Sequence, residues 1–84
     1  MYEQIKEFIL DRQKQSGKTI GDLAKELGYS VSHITNYLNG NKEMSRNFLE
    51  TIAEHYDMAI VYYKGVYRIV KAVGNEIVMM KGEE

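Results

Sequence analysis

Ser32 stands beside His33, and Gly17-Lys18-Thr19 has the ending of a phosphate-binding loop; here the 84-residue sequence comes nearest to a catalytic motif. Neither motif is complete. Adjacent helix positions do not face one another, so Ser32 and His33 form no nucleophile–base pair. The phosphate loop needs a glycine five residues before Gly17, and that position is Arg12. Ser16, Ser30, Ser32 and Ser45 each read as turn or cap residues. His33 and His55 are far apart in sequence and lack a third ligand, whereas zinc usually takes three or four protein ligands. With no cysteine, disulfides, thiolate catalysis and cysteine-based zinc sites are excluded. The expectation is a protein without catalytic residues, metal or cofactor.

What remains is binding chemistry. The net charge is −1, which weighs mildly against a nucleic-acid partner. Charge position qualifies that. Arg12, Lys14 and Lys18 have no acid between them, while carboxylates gather at Glu3, Glu7, Asp11, Glu50, Glu54 and Asp57. A weakly acidic chain can still present a basic face. Lys25 and Glu26 read as a solvated face. The tyrosines Tyr29, Tyr37, Tyr56, Tyr62, Tyr63 and Tyr67 read as core and interface packing.

The elements that must position these residues follow from spacing. Tyr2, Ile5, Phe8 and Ile9 have helical periodicity, ending near Gln15-Ser16-Gly17. Thr19 is a good N-cap with Asp22 at the capping-box position, followed by Ile20, Leu23, Ala24 and Leu27 at i, i+3, i+4 and i+7. Gly28 suits the left-handed residue that ends such a helix. A third helix starts from Ser30, buries Ile34, Tyr37 and Leu38, and closes at Gly40. A fourth is capped by Ser45 and carries Phe48, Leu49, Ile52, Ala53 and Tyr56.

At about Met58 the pattern becomes β-branched and aromatic: Ala59–Tyr63, then Val66–Val70, then Glu76–Met80. Lys64-Gly65 and Gly74-Asn75 are the turn candidates. The length supports one domain, with residues 1–57 helical and 58–81 forming a β-strand dimerisation or interaction element. The expected class is α+β: four helices followed by an antiparallel β-hairpin or three-strand meander. No apolar run approaches the length of a membrane span, and the N-terminus lacks the pattern of a signal peptide. A cytoplasmic location is expected.

Thr19 to Gly40 is the most informative stretch. Two short helices flank Gly28-Tyr29-Ser30; Ala24 is the small residue at their crossing, and Ile34 and Tyr37 close the contact. This stretch resembles the helix-turn-helix of the Cro and phage-repressor (XRE-type) family, with a lambda-repressor-like four-helix arrangement, and Phe48–Ala53 is similar to that family's fourth helix. The resemblance covers roughly residues 1–57. The β-rich end looks more like the Cro arrangement.

The resemblance implies that the second motif helix enters the DNA major groove. It implies base contacts from Val31, Ser32, Thr35 and Asn36. The chemistry suits this: Asn36 can bond adenine bidentately, Ser32 can donate or accept, and Val31 and the Thr35 methyl can touch a thymine methyl. It also implies phosphate contacts from Thr19 and Ile20 at a helix N-terminus, and from Lys18, His33, Asn39, Asn41, Lys42, Ser45 and Arg46. Two departures stand out. The recognition helix carries no Lys or Arg, and Glu43 sits in the loop expected to meet phosphate.

In Ile77-Val78-Met79-Met80 both alternating faces are apolar, as they are in Ile60–Tyr63. An exposed apolar face and an unpaired strand edge favour association. A homodimer through residues 59–80, with Ile77, Val78, Met79 and Met80 at its interface, is therefore expected. The partner implied is double-stranded DNA, bound as a Cro-like repressor at a palindromic operator. A phage or mobile-element origin fits the compact format. The competing expectation is an antitoxin or anti-repressor module whose β element binds another protein.

Overall fold

The computed structural model describes residues 1–73 and 76–77. Helix α1 runs Glu3–Ser16, α2 Ile20–Leu27, α3 Val31–Leu38 and α4 Arg46–Tyr56. Strands β1 (Met58–Tyr63), β2 (Val66–Val73) and β3 (Glu76–Ile77) follow. The fold is α+β, four helices and then an antiparallel sheet in the order β1-β2-β3.

Side-chain caps set three of the helix starts. Thr19 and Asp22 form a reciprocal capping box, and Ser30 and Ser45 accept the amides of His33 and Phe48. A cap of this kind contributes about 0.5–2 kcal/mol. The turn between α2 and α3 depends on Gly28, whose φ of 77° lies in the left-handed region. Its amide donates to the Ala24 carbonyl.

The core gathers Ile5 and Ile9 of α1, Leu23 and Ala24 of α2, and Ile34, Tyr37 and Leu38 of α3. Phe48, Leu49 and Ile52 of α4 and Ile69 of β2 complete it with Met44. Burying a side chain such as Ile34 or Phe48, both fully enclosed, stabilises by about 1.5–3 kcal/mol. Met44 lies in the α3–α4 loop, outside every periodic stripe, yet is only 4% exposed. It anchors the loop that follows α3.

The sheet is fastened to the helices at its β2 strand. The Gln4 side chain donates to the Ile69 carbonyl and accepts its amide, at 3.0 and 2.7 Å. The Tyr2 and Tyr67 rings stack with centroids 5.0 Å apart, and the Tyr67 amide donates to the Met1 carbonyl. In the hairpin Tyr62 faces Tyr67 and Tyr63 faces Val66 across a turn at Lys64-Gly65. Both turn residues have positive φ, 48° and 85°, the backbone of a tight hairpin. Ala72 pairs with Ile77 and Val73 with Glu76.

Candidate nucleic-acid interface

Helix α3 has one buried and one open side. Ile34, Tyr37 and Leu38 are buried, while Val31, Ser32, His33 and Thr35 are exposed and Asn36 is half-buried. Val31/Thr35 and Ser32/Asn36 are i, i+4 pairs, so the four residues share a face opposite the core. Hydrogen bonds at this end of the motif are taken by Ser30, His33, Tyr37 and Ser45. The side chains of Ser32, Thr35 and Asn36 enter none among the described residues. The Asn36 carbonyl accepts the Lys42 amide at 3.2 Å, which ties the following loop to the helix and leaves the carboxamide unspent. His33 is more constrained. Its Nδ1 lies 3.2 Å from the Ser30 hydroxyl, and its ring packs edge-on to Tyr29 and stacks near Tyr37.

The N-terminus of α2 offers backbone donors. The capping box occupies the amides of Thr19 and Asp22, and the Leu23 amide bonds the Thr19 carbonyl. The amides of Ile20 and Gly21 enter no hydrogen bond among the described residues. Gly21 has no side chain to shield them, which suits close approach by an oxyanion. The same box places an acid here. Hydrogen bonds from Thr19 hold the Asp22 carboxyl below its ordinary range, so this end carries a carboxylate as well as free N–H groups.

Cations are unevenly committed. The Lys18 ammonium sits 2.6 Å from Glu26, and that hydrogen bond raises its pKa. Glu26 also lies 3.3 Å from His55; instead of belonging to a purely solvated face, it ties the α1–α2 turn to the last turn of α4. Arg12 lies over the Phe8 and Tyr56 rings. Lys42 is exposed in the α3–α4 loop. Arg46 bonds Glu50 through Nε, with both side chains largely in solvent. Such exposed pairs contribute little and exchange readily.

The remaining loop residues divide between structure and exposure. Asn39 accepts the Asn41 amide, and Ser45 caps α4 while accepting from the Tyr37 hydroxyl at 3.4 Å. Asn41 and Glu43 are exposed. Most residues the sequence nominated for DNA contact thus lie on α3, at the start of α2 or in the segment 39–46, and Lys18 is held by Glu26. Gly21 and Asp22 also stand at the start of α2; a glycine two places after a Thr cap was the signal. Of the nominated dimer residues, Ile77 lies on β3, and Val78, Met79 and Met80 lie outside the described residues.

Among the described residues no group of three or more His, Asp or Glu is placed to hold a metal. No helix there is long and apolar enough to cross a membrane. A family model described as a helix-turn-helix domain matches residues 10–60. No curated protein and no solved structure matches the chain. The matched span runs from within α1 into β1, and the chain belongs to the helix-turn-helix domain family, typical of XRE-like DNA-binding regulators.

Proposed function

We propose that this helix-turn-helix protein is a sequence-specific transcriptional regulator, a Cro-like repressor that occupies a palindromic operator as a homodimer. The observation that carries the reading is the open face of α3. Val31, Ser32, Thr35 and Asn36 present two hydrogen-bonding side chains of the Ser/Thr type, one carboxamide and one apolar side chain, on a helix rigidly capped and backed by the core. Recognition then proceeds without arginine. Asn36 pairs with adenine through N6 and N7, Ser32 accepts or donates at a neighbouring base, and Val31 and Thr35 pack against thymine methyls. The Ile20 and Gly21 amides, Lys42 and Arg46 hold the phosphates on either side and fix the helix's register.

A dimer complements the weak charge of each subunit. Tyr63 and Val66, paired across the end of the hairpin, are each 42% exposed, and the outer edge of β1 has no strand partner among the described residues. A two-fold contact through residues 59–80 would cover them and set two α3 helices about one DNA turn apart, on the order of 34 Å. The test is selection of bound sequences from random duplex DNA, with footprinting of the winner. An A·T-containing inverted repeat with two protected half-sites is expected. A selected pool no different from the input, with no protection, would refute sequence-specific binding.

A further inference from the structure

We infer that the tip of the β1–β2 hairpin is a second DNA-contacting element, in which Lys64 grips the sugar-phosphate backbone just outside the segment that α3 reads. The inference rests on the DNA-binding reading above and extends it to a part of the chain that lies outside the helix-turn-helix itself.

Charge distribution is the first support. The sequence from Met58 to Val73 contains Lys64, Arg68 and Lys71 and no Asp or Glu, in a chain whose net charge is −1. The hairpin is thus a cationic projection from an otherwise acidic molecule. Lys64, Arg68 and Lys71 are exposed, and no ion pair engages them among the described residues. A polyanion is the complementary partner for such a tip.

Placement is the second support. Tyr62 and Tyr67 pack with ring centroids 4.7 Å apart, and Tyr67 stacks on Tyr2. Tyr2 in turn borders a cavity of about 350 Å³ whose other wall is Asn39, Gly40, Lys42 and Glu43, the loop that leaves α3. Burial and the proximity of Tyr67, Glu43 and Tyr62 raise the Tyr2 pKa, consistent with one continuous cluster. A contiguous strip therefore runs from the end of α3 through the phosphate-facing loop and Tyr2 to Tyr62. Lys64 is two residues farther along, about 7 Å at the rise of a strand.

Rigidity is the third. The turn has two positive-φ residues, and the strand behind it is clamped by Gln4 and by the Tyr67 amide. A fixed tip loses little conformational freedom on binding. Tyr62, 50% exposed, lies alongside and can pack against a deoxyribose.

The test is Lys64→Asn in the full chain. Asn tolerates the left-handed backbone at this position and Asn-Gly is a favoured turn pair, so the charge is removed with the fold retained. Wild type and variant are titrated with the selected duplex from 50 to 200 mM salt and footprinted with hydroxyl radicals. The variant is expected to keep the core footprint, to lose protection of the flanking backbone, and to show a salt slope smaller by about 0.9 for each phosphate released. Its affinity deficit then narrows about 3.5-fold across that salt range. Trimming the flank should weaken wild type and leave the variant unchanged. A core footprint with identical slopes and flanks in both proteins would overturn the hairpin contact alone. Loss of self-association in the variant, with DNA contacts unaltered, would overturn it in favour of a second copy. Absence of any wild-type footprint would overturn both this inference and the reading on which it rests.

Discussion

Replacing Asn36 with alanine separates base reading from folding. The carboxamide enters no hydrogen bond among the described residues, and its half-buried side chain lies outside the core cluster. The backbone carbonyl that anchors the Lys42 amide survives the substitution. Alanine also has the higher helix propensity, so stability should change by no more than about 0.5 kcal/mol. On the selected operator the loss is that of a bidentate contact, about 1–3 kcal/mol per site, or roughly five- to 150-fold in the dissociation constant. On random duplex the loss should be negligible, because phosphate contacts supply nearly all non-specific binding. Fluorescence anisotropy with both duplexes, alongside thermal unfolding, reads all three quantities. An equal loss on specific and random DNA with unchanged unfolding would remove Asn36 from base recognition. A large fall in unfolding temperature would show instead that the side chain supports the fold.

Four further outcomes follow from the same geometry. Ser32→Ala should cost about 1–3 kcal/mol on the operator with random-duplex binding almost intact, read by the same titrations. Lys42→Ala and Arg46→Ala should weaken binding to every sequence alike and reduce the salt slope by about one unit each; an unchanged slope would turn that loop away from the backbone. Asp22 has a folded pKa below its ordinary value, so its contribution is complete above about pH 4 and is lost as acid titrates it in the fold; Asp22→Asn should flatten that part of the unfolding temperature's pH profile. Sedimentation at micromolar concentration should give a dimer, and a purely monomeric species bound without two-fold symmetry would refute assembly through residues 59–80.

The helices were legible because their signals are local. Thr19 with Asp22, Gly28, Ser30 and Ser45 each announce a boundary by chemistry that acts within a few residues, and the structure places each there. Lys64-Gly65 announces the hairpin in the same way. The fastening of α1 to β2 had no such signature. Gln4 lies outside the apolar stripe of its helix, and only the packed chain brings it to Ile69, 65 positions away. Met44 lacked a periodic partner, so its burial was invisible. Gln13, 9% exposed and donating to the Lys18 carbonyl at 2.8 Å, was hidden for the opposite reason: a polar side chain inside the core is identified by its partner, not by its type. At the candidate interface the exposed face of α3 followed from the stripe it opposes. The commitment of Lys18 to Glu26 did not, since a salt bridge eight residues apart depends on how the α1–α2 turn lies along α2.

The central claim is that α3 meets duplex DNA through Val31, Ser32, Thr35 and Asn36. Its most direct test is a titration of the ¹⁵N-labelled chain with the selected duplex, followed by amide and side-chain NMR shifts. Large shifts are predicted at Ile20 and Gly21, along Val31–Asn36 including the Asn36 carboxamide, and at Lys42, with the amides of Glu50, Thr51 and Glu54 on α4 nearly still. Shifts confined to the sheet, with α3 unmoved at saturating DNA, would contradict the account.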